Sequence, residues 1–371
     1  MAPKIHIQHV LLSLQPGGLE NGVVNIVNGL NPDCFRSSVC CLKHAGEFAA
    51  RLAYKEIAIH QMGWRGGNDL LMPLRLARLF RRTKTDIVHT RNAEAFFYGF
   101  LGAKLAGVSR IIHSEHGRTF DDRPLRFTVQ RLFSRHTDRI FSVTEKLKQD
   151  LVGHIGIPAS RIDVLYNGVD LCRFRPVSHA AVRAQLGFQP DDLVVGSVGR
   201  LVAVKNYPLL LQAIRSLGTS QVKLVLVGDG PERGALERMA AVLGLENHVR
   251  FLGHCENVAE LLASLDIFVL PSVSEGMSNT LLEAMGAGVA AIASDVGGNP
   301  EIIRDEIDGL LFPCGDQTAL VSRLQTLLVD PARRAQLAQA GRERVHRDFS
   351  IDVMISRYER LYESVYGSGP K

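Results

Sequence analysis

The sequence predicts an α/β fold of two doubly wound parallel-sheet domains that face each other across a cleft. Two separate series of short apolar strands alternate with amphipathic helix patterns, as expected for parallel sheets covered by helices. Turn residues at 166–170 separate the two series. With 371 residues, of which 46% are hydrophobic and 22% charged, the chain is long enough for two globular domains.

The first series predicts an N-terminal domain at residues 1–168. Its apolar runs and its 3.6-residue periodicities follow one another along the chain. We predict strands at 4–14, 36–42, 86–90, 110–114, 139–143 and 162–165, and helices at 19–30, 70–82 and 94–106.

The second series predicts a C-terminal domain at residues 169–350. We predict strands at 193–199, 222–227, 249–252, 266–270, 290–294 and 310–312, and helices after residue 316. The last segment, 351–371, carries an apolar stripe typical of a packed helix, made of Tyr358, Leu361, Tyr362, Val365 and Tyr366.

Composition excludes several classes of protein. The longest nearly uncharged segments, such as 284–294, are shorter than the roughly 20 apolar residues that a membrane span requires. The N-terminus begins like a strand and lacks the apolar region of a signal peptide. The six cysteines have no metal-binding spacing, and no His-Glu-x-x-His occurs. We therefore expect a cytoplasmic protein with reduced thiols and no zinc site.

Positive charge is concentrated in the predicted N-terminal domain. Residues 1–168 contain 23 Lys and Arg against 14 Asp and Glu, whereas the remainder contains 20 against 24. The basic residues cluster in two segments: Arg75, Arg78, Arg81, Arg82 and Lys84, and then Arg118, Arg123, Arg126, Arg131, Arg135 and Arg139. Nucleic acid is disfavoured as a partner, because aromatic residues make up only 6% and no nucleic-acid-binding signature accompanies the charge.

Two interpretations of the first basic segment remain open. Six apolar side chains alternate with its arginines: Leu70, Leu71, Leu74, Leu76, Leu79 and Phe80. They could pack in the core while the arginines form a solvated helix face. Alternatively, they could dock peripherally on an anionic membrane surface where a lipid-linked acceptor resides.

Two glutamates eight positions apart, Glu275 and Glu283, form the most informative motif. The apolar run 266–270 predicts a buried strand that ends at Pro271, and the leucine spacing after residue 280 predicts a helix. Glu275 is therefore expected in a loop and Glu283 about one turn into the helix.

The helix N-terminus between these glutamates predicts an anion site. The amides of Ser278, Asn279 and Thr280 would lie where unpaired N–H groups and the helix dipole favour a negative charge. A phosphate flanked by two hydroxyl-binding carboxylates suits a nucleotide sugar. The alternative is structural, because Thr280 and Glu283 also fit the Thr-x-x-Glu capping box.

The segment resembles the E-x7-E motif of GT-B fold glycosyltransferases, in particular the retaining glycosyltransferase family 4. The similarity continues through 284–288 and 292–301 and extends from the N-terminal glycine pair to the C-terminal helix. One departure is that 288–293 lacks the proline common in the family, with no loss of a polar contact. The resemblance implies an acceptor-side Rossmann-like domain, a nucleotide-sugar-binding Rossmann-like domain, and a helix at 351–371 that packs back on the first.

The resemblance also implies roles for the motif. Glu283 would bind the ribose hydroxyls, and the segment around Glu275 would hold the hexose and the diphosphate. The implied donor-binding residues here are Glu275, Gly276, Met277, Ser278, Asn279, Thr280 and Glu283.

Two cations, Arg200 and Lys205, follow the first predicted strand of the second domain. Arginine can bind a phosphate bidentately, and lysine supplies a mobile point charge. Alone, the pair would more often be two surface cations. The resemblance implies that both residues stabilise the departing diphosphate. Because no Asp-x-Asp occurs, we expect no metal and no other cofactor.

The first domain contributes three further candidates. Gly17 and Gly18 lie between a strand and a helix, where glycine lets the backbone approach a ligand, although an ordinary tight turn is the alternative. His116 follows the strand at 110–114, and the resemblance implies that it lines the sugar pocket, with Glu115 as its rival. The glycines of 227–234 do not match G-x-G-x-x-G, which disfavours a nicotinamide enzyme.

Together the residues and the resemblance predict a retaining glycosyltransferase with His116, Arg200, Lys205 and Glu275 as catalytic residues. It would move a sugar from a UDP- or GDP-linked donor to an acceptor hydroxyl on a glycan or lipid-linked acceptor, in bacterial exopolysaccharide, lipopolysaccharide or lipid-linked glycan synthesis. The family mechanism implied is front-face substitution, in which the leaving phosphate helps to deprotonate the acceptor. Two alternatives remain: a nucleotide-sugar epimerase of the same fold, and a non-catalytic carbohydrate-binding scaffold.

Overall fold

The computed structural model describes residues 4–53, 57–117, 124–176 and 180–367. These residues form two compact units. Unit 1 comprises the described residues up to Asn167 together with those from Ile351 onward, and unit 2 comprises Gly168–Ser350. The chain therefore passes between the units within the turn-rich segment 166–170 and again at residue 351.

Unit 1 is built on a parallel sheet. In its described part the strands are β1 (Ile5–Leu11), β2 (Phe35–Cys41), β3 (Ala58–Gln61), β4 (Ile87–Arg91), β5 (Arg110–Glu115), β6 (Arg139–Ser142) and β7 (Ile162–Val164). The strand order is β3-β2-β1-β4-β5-β6-β7, and neighbouring strands are parallel. The order reverses between β1 and β4, so this is the point where a doubly wound sheet opens toward a ligand.

Helices cover both faces of the unit 1 sheet. They are α1 (Gly18–Gly29), α2 (Met72–Thr83), α3 (Asn92–Ala106), α4 (Pro124–Ser134), α5 (Glu145–Asp150) and, at the C-terminus, α14 (Ile351–Gly367). Helices α2 and α3 share one apolar core with the strands, and α1 and α14 share another. Helix α1 approaches α14 closely, because a Cβ built at Gly29 would lie 2.7 Å from Cγ1 of Ile355.

The C-terminal helix α14 belongs to the core of unit 1. Its buried face carries Met354, Tyr358, Tyr362 and Val365, which pack with Phe141 and the β1 and β4 isoleucines. In the predicted apolar stripe, Tyr358, Tyr362 and Val365 are therefore buried and Leu361 and Tyr366 are half-buried, and the described part of 351–371 packs on the unit 1 sheet.

The apolar side chains of the first basic segment divide into two groups. Leu76, Leu79 and Phe80 are buried in the core, so membrane docking by these three is wrong. The other three are exposed: Leu70, Leu71 and Leu74. In the second basic segment, Arg118 and Arg123 lie outside the described residues.

Unit 2 repeats the architecture. Its described strands are β8 (Leu193–Val198), β9 (Val222–Val227), β10 (Val249–Gly253), β11 (Ile267–Leu270), β12 (Ala290–Ser294) and β13 (Leu310–Phe312), in the order β10-β9-β8-β11-β12-β13. All pairs are parallel, and the order reverses between β8 and β11. The helices are α6 (Ala180–Gln185), α7 (Tyr207–Leu217), α8 (Arg233–Val242), α9 (Val258–Ala263), α10 (Asn279–Gly286), α11 (Asn299–Ile302), α12 (Gln317–Val329) and α13 (Pro331–Asp348).

The turn that lacks the family's proline is closed by its backbone. The amide of Gly288 donates to the carbonyl of Met285 (3.0 Å), and that of Val289 donates to Ala284 (3.1 Å). Gly288 has φ +77°, which favours glycine, and such a pair of bonds ends a helix without proline. Strand β12 then begins in register beside β11.

Candidate active site

The candidate residues of unit 2 lie in loops at the carboxyl edge of its sheet and in the first two turns of α10. Strand β8 leads into 199–206, β11 into 271–278, and β12 into 295–298. Strands β8 and β11 flank the point where the strand order reverses, and ligands of doubly wound sheets bind there. The fold thus brings loops that are far apart in sequence to one edge.

Two of the predicted residues are in direct contact. Nζ of Lys205 lies 2.5 Å from Oε1 of Glu275, and Oγ of Ser272 donates to the same oxygen at 2.6 Å. The Lys205 and Glu275 side chains are only 18% and 11% exposed, so solvent screens their attraction weakly. Lys205 ends a single 3-10 turn, Ala203–Lys205, and the amide of Val273 donates to the carbonyl of Val204 (2.9 Å), which ties the two loops together.

The backbone of Glu275 is seated against the loop after β12. Gly297 has φ +54°, and a Cβ built there would lie 1.9 Å from the carbonyl oxygen of Glu275. The amide of Gly298 donates to the carbonyl of Gly276 (2.9 Å). Only glycine allows this approach, so the glycine pair at 297–298 positions the first carboxylate of the motif.

Buried polar side chains also hold the loops that follow β11 and β12. Oγ of Ser294 donates to the carbonyl of Ser272 (2.5 Å), and Nδ2 of Asn299 donates to the carbonyl of Ser294 (3.0 Å). Ser272, Ser294 and Asn299 are fully buried. These internal bonds fix the loop conformation before a ligand arrives, although Oδ1 of Asn299 has no hydrogen-bond partner within the described residues.

The N-terminus of α10 is capped by Ser278. Its Oγ accepts a hydrogen bond from the amide of Leu281 (3.3 Å). The capping-box interpretation of Thr280 and Glu283 is therefore wrong, because Thr280 is the second residue of the helix and not its cap. Asn279 and Thr280 are half-buried, and their amides belong to the first turn of the helix.

The remaining predicted residues of unit 2 are Gly276, Met277, Glu283 and Arg200. Gly276 is half-buried and Met277 is buried beneath the helix start. Glu283 is half-buried in the second turn of α10. Arg200 is exposed at the start of the loop after β8, and no polar side-chain contact joins it to Lys205 or Glu275 within the described residues.

Sequence reasoning missed Tyr207, the first residue of α7. It is 1% exposed, and a Cβ built at Gly199 would lie 2.9 Å from its hydroxyl oxygen. Burial raises the pKa of Tyr207, and the carboxylate of Glu275 raises it further. Tyr207 is therefore a neutral phenol close to the carboxylate. No sequence pattern marks it, since a tyrosine before Pro208 reads as an ordinary helix start.

The glycines of 227–234 have a packing role. A Cβ at Gly228 would lie 2.0 Å from the carbonyl oxygen of Gly199, and one at Gly230 would lie 2.4 Å from that of Leu201. The amide of Leu201 donates to the carbonyl of Asp229 (2.9 Å). These glycines let the loop after β9 support the loop that carries Arg200 and Lys205.

In unit 1, Gly17 and Gly18 lie at the start of α1, at the end of the loop that follows β1. Gly17 is the N-cap, and its carbonyl accepts from the amide of Asn21 (2.9 Å). A Cβ at Gly17 would lie 2.3 Å from Oε2 of Glu20, so this carboxylate folds back over the glycine. Burial raises the pKa of Glu20.

His116 lies just beyond β5, at the carboxyl edge of the unit 1 sheet. Its amide donates to Oδ1 of Asn92 (3.0 Å), and Nε2 lies 3.1 Å from Oγ of Ser114. Burial lowers the pKa of His116 well below its usual value, and the charge of Arg91 lowers it further. His116 is therefore neutral at physiological pH.

Its rival Glu115 is fully buried in a separate network. Oε1 of Glu115 lies 3.3 Å from Nε2 of His113 and accepts from Nε2 of Gln130 (2.8 Å). The His113 ring stacks on Phe96 with centroids 3.9 Å apart. These contacts hold Oε1 of Glu115 in place within unit 1.

Two family models match the chain. The model described as Glycosyltransferase Family 4 matches residues 16–173, and the model described as Glycosyl transferases group 1 matches residues 179–344. A Bacillus subtilis protein named EpsF, described as a candidate glycosyltransferase, is 30% identical over 369 residues, which cover 94% of this chain and 91% of that protein. The chain belongs to the group 1 glycosyltransferases. The family prediction is confirmed, and the protein is a transferase.

Other comparisons support the fold and the class of enzyme. The chain is 27% identical over 308 residues to the Escherichia coli UDP-Gal:α-D-GlcNAc-diphosphoundecaprenol α-1,3-galactosyltransferase, covering 79% of each chain. The solved structure of Anabaena HepE in complex with UDP and glucose matches with a TM-score of 0.86 and 22% identity, over 97% of this chain and 100% of that one. The glycosyltransferase therefore has the predicted GT-B fold class, with two Rossmann-like units.

Neither a metal-binding cluster nor a membrane-spanning helix occurs among the described residues of this glycosyltransferase. No group of three or more His, Cys, Asp or Glu side chains in that part of the chain could hold a metal ion. No described helix is both long and apolar enough to cross a bilayer.

Proposed function

We propose that this glycosyltransferase moves a sugar from a nucleoside-diphosphate sugar to an acceptor hydroxyl with retention of the anomeric configuration. The observation that carries the proposal is the Lys205–Glu275 contact beside the N-terminus of α10, at the switch point of the unit 2 sheet. A cation, a carboxylate and first-turn amides at one edge are complementary to a diphosphate attached to a hydroxyl-rich ring.

Each residue has a proposed role in donor binding. The amides at 277–280 and the side chains of Arg200 and Lys205 bind the diphosphate, Glu275 accepts hydrogen bonds from the hexose hydroxyls, and Glu283 accepts them from the ribose. Lys205 has three N–H donors, so it can keep its contact with Glu275 and still donate to a phosphate oxygen. In unit 1, Gly17, Gly18 and His116 are the proposed contacts to the donor phosphates and to the sugar.

The proposed chemistry is front-face substitution. The bond between the anomeric carbon and the phosphate oxygen breaks, the bond to the acceptor oxygen forms on the same face, and the acceptor proton passes to the leaving phosphate. Negative charge grows on the diphosphate, so preorganised cations and amides stabilise the transition state more than the ground state. These groups make a divalent metal unnecessary. This step rests on the family resemblance.

The donor base is proposed from relatives. The Escherichia coli relative is named for UDP-Gal, and Anabaena HepE was solved with UDP and glucose. We propose a UDP-sugar first and a GDP-sugar second.

The acceptor is proposed to lie at a membrane. Residues 70–71 and the helices α2, α3 and α4 expose large apolar side chains, among them Leu70, Leu71, Leu74, Phe97, Leu125 and Leu132. The same part of the chain exposes arginines at positions 78, 81, 82, 126, 131 and 135. Apolar side chains surrounded by cations are complementary to an anionic bilayer surface. The Escherichia coli relative is named for a diphosphoundecaprenol-linked substrate, which favours a peripheral protein at the cytoplasmic face.

Donor binding is tested by calorimetry and thermal shift with UDP-, GDP- and ADP-sugars in the presence of a chelator. We expect one nucleotide class to stabilise the wild-type protein, and Glu283→Ala to lose this stabilisation. Glu256→Ala, an exposed glutamate of the same unit, is the matched control and should retain it. Loss of binding on adding the chelator would overturn the metal-free proposal, and absence of binding by every class would overturn the donor site.

Product analysis separates the alternatives. Incubation with donor and a pool of glycan acceptors should release the nucleoside diphosphate and form an α-linked product from an α-linked donor. Conversion of the donor sugar into its epimer without an acceptor would identify an epimerase. Binding without any turnover would favour the scaffold.

Membrane contact is tested by sedimentation with vesicles. We expect binding to vesicles that contain anionic phosphatidylglycerol and not to pure phosphatidylcholine. Replacing Leu70, Leu71 and Leu74 together by Ser should abolish it, whereas Val242→Ser, an equally exposed apolar position in unit 2, should leave it unchanged. Equal binding by both variants would exclude this surface.

A further inference from the structure

Arg91 is a buried cation whose side-chain hydrogen bonds, within the described residues, go to uncharged groups. It is the last residue of β4 and is 1% exposed. Its guanidinium contacts Nδ1 of His9 (3.1 Å), Nε2 of His89 (3.0 Å) and Oγ of Ser114 (3.1 Å). A guanidinium can only donate hydrogen bonds, so each of these three atoms is an acceptor toward it.

The donors of Arg91 fix the tautomers of the histidines they touch. Because Nε2 of His89 accepts, the ring carries its proton on Nδ1, which lies 2.8 Å from the hydroxyl of Tyr362 on α14 and donates to it. Because Nδ1 of His9 accepts, His9 carries its proton on Nε2. Both rings are kept neutral, since burial and the charge of Arg91 hold the pKa of each well below its usual value.

The direction of these bonds continues through Ser114 to His116. Ser114 accepts from Arg91 and has one hydrogen to donate. The lone pair of Nε2 of His89 is already used by Arg91, and the carbonyl of Thr90 is 3.5 Å away, whereas Nε2 of His116 is 3.1 Å away. The hydroxyl therefore donates to Nε2 of His116, and this ring carries its proton on Nδ1.

Nδ1 of His116 is the end of the chain of bonds. It is buried and has no hydrogen-bond partner within the described residues. A buried N–H without an acceptor is costly, and in a binding site it marks a position for a ligand oxygen.

We propose that Arg91 is a positioning residue that, through Ser114, fixes His116 as the neutral tautomer with its proton on Nδ1, so that this atom donates a hydrogen bond to an oxygen of the bound glycosyl donor. The ligand part of this inference rests on the proposed function, whereas the tautomer part concerns the free protein.

The charge of Arg91 also predicts a pH effect. It opposes a second proton on His116, so its removal shifts the protonation of His116 to higher pH. Within the described residues, the other titratable groups of the surrounding elements include His9 on β1, His89 on β4, His113 and Glu115 on β5, Glu94 on α3, and Tyr358 and Tyr362 on α14.

The tautomer is measured by nitrogen-15 NMR of protein labelled at histidine, with the His116 signals assigned from the spectrum of His116→Gln. In the wild-type protein we expect a protonated Nδ1 and an unprotonated Nε2. Ser114→Ala should convert His116 to a mixture of tautomers. Ser142→Ala, a matched buried strand serine whose Oγ donates to the carbonyl of Thr144 (2.8 Å), should leave the signals unchanged.

Donor affinity and pH dependence supply the second readout. Ser114→Ala should weaken donor binding about three- to tenfold, as for one lost hydrogen bond, while Ser142→Ala should not. Arg91→Gln, checked for folding by circular dichroism, should move the acidic limb of kcat/KM to higher pH. Ser114→Ala keeps the charge of Arg91 and should move the acidic limb of the kcat/KM profile less than Arg91→Gln does.

The outcomes distinguish a wrong tautomer assignment for His116 from a wrong proposed function. A wild-type His116 protonated on Nε2, or a Ser114→Ala variant with unchanged tautomer and unchanged donor affinity, would overturn the proposal. If the wild-type protein shows the expected tautomer but binds no nucleotide sugar, the proposed function is overturned. The inference that Arg91 fixes the tautomer of His116 through Ser114 would still hold.

Discussion

Nζ of Lys205 and Oε1 of Glu275 are 2.5 Å apart although 70 positions separate the two residues in the chain. Ser272 donates to the same carboxylate oxygen, so neither protein donor uses Oε2. The carboxylate is thereby held in one orientation by a cation that can also bind phosphate. The pair is expected to act as a unit in catalysis.

Replacing Lys205 by Met should lower kcat/KM about 10²- to 10³-fold, because a preorganised charge facing the leaving diphosphate is lost. Glu275→Gln keeps the shape and removes the charge, and should also reduce kcat/KM. The double variant should be little worse than the poorer single variant, since each change already disables the pair. Steady-state kinetics of the three variants checks this, and fully additive losses would show that the residues act independently.

Gly297→Ala should destabilise the protein by about 3 kcal/mol or more, because the added Cβ meets the carbonyl oxygen of Glu275 in a backbone conformation that is already unfavourable for alanine. Gly315→Ala is the matched control: its φ is +77° with no atom within 4 Å of the new Cβ, so only the conformational cost of about 1 kcal/mol is expected. Urea unfolding measures both. Equal losses would mean that the close approach at Gly297 is absent.

Ser278→Ala should cost about 1 kcal/mol of stability through loss of the α10 N-cap. Thr280→Ala should change stability by less than about 0.5 kcal/mol, because Thr280 lies within the first turn and does not cap it. Thermal unfolding of the two variants side by side decides between them, and the reverse order would restore the capping-box interpretation.

Acid should destabilise unit 1 through its buried histidines. The pKa values of His9, His89 and His116 are well below the usual value, mainly because of burial. Below about pH 6.5 these histidines become protonated in the unfolded chain but stay neutral in the folded protein. The free energy of unfolding therefore falls as pH falls, by about 1.4 kcal/mol per pH unit for each histidine. Above that pH these histidines do not make the free energy of unfolding depend on pH.

The pH effect is measured by urea unfolding between pH 5 and 8. His9→Asn should reduce the slope, because it removes one of the buried rings with a lowered pKa. A wild-type stability that is flat from pH 7 to 5 would contradict the neutral, buried state of these rings.

The strands were predictable where both faces are buried, because such strands read as continuous apolar runs. Strand β11 is buried at all four positions, Ile267–Leu270, and the sequence predicts it to within one residue. Strand β3, Ala58–Gln61, was missed: it is an edge strand with half-exposed and exposed positions, and its sequence has no clear alternation.

The sequence predicts which residues belong to the site but not which of them are in contact. The glutamate spacing identifies Glu275, but only the fold brings Lys205 to it. Arg91 was missed because the strand prediction ended at residue 90, which left the arginine outside as an ordinary loop cation. One signal was present: His89 and Arg91 alternate within a buried strand, which places both on the same side of the sheet.

The path of the chain has a consequence for biosynthesis. Unit 2 is one continuous segment, Gly168–Ser350, whereas the core of unit 1 contains Tyr358 and Tyr362 from the last helix. The ribosome synthesises the chain from its N-terminus, so unit 2 is complete before α14 has been made. The unit 1 sheet, whose first strand begins at Ile5, can bury His89 and Phe141 only after α14 has been released. A nonsense codon after Ser350 would thus spare the whole segment of unit 2 and remove the last helix from one of the apolar cores of unit 1.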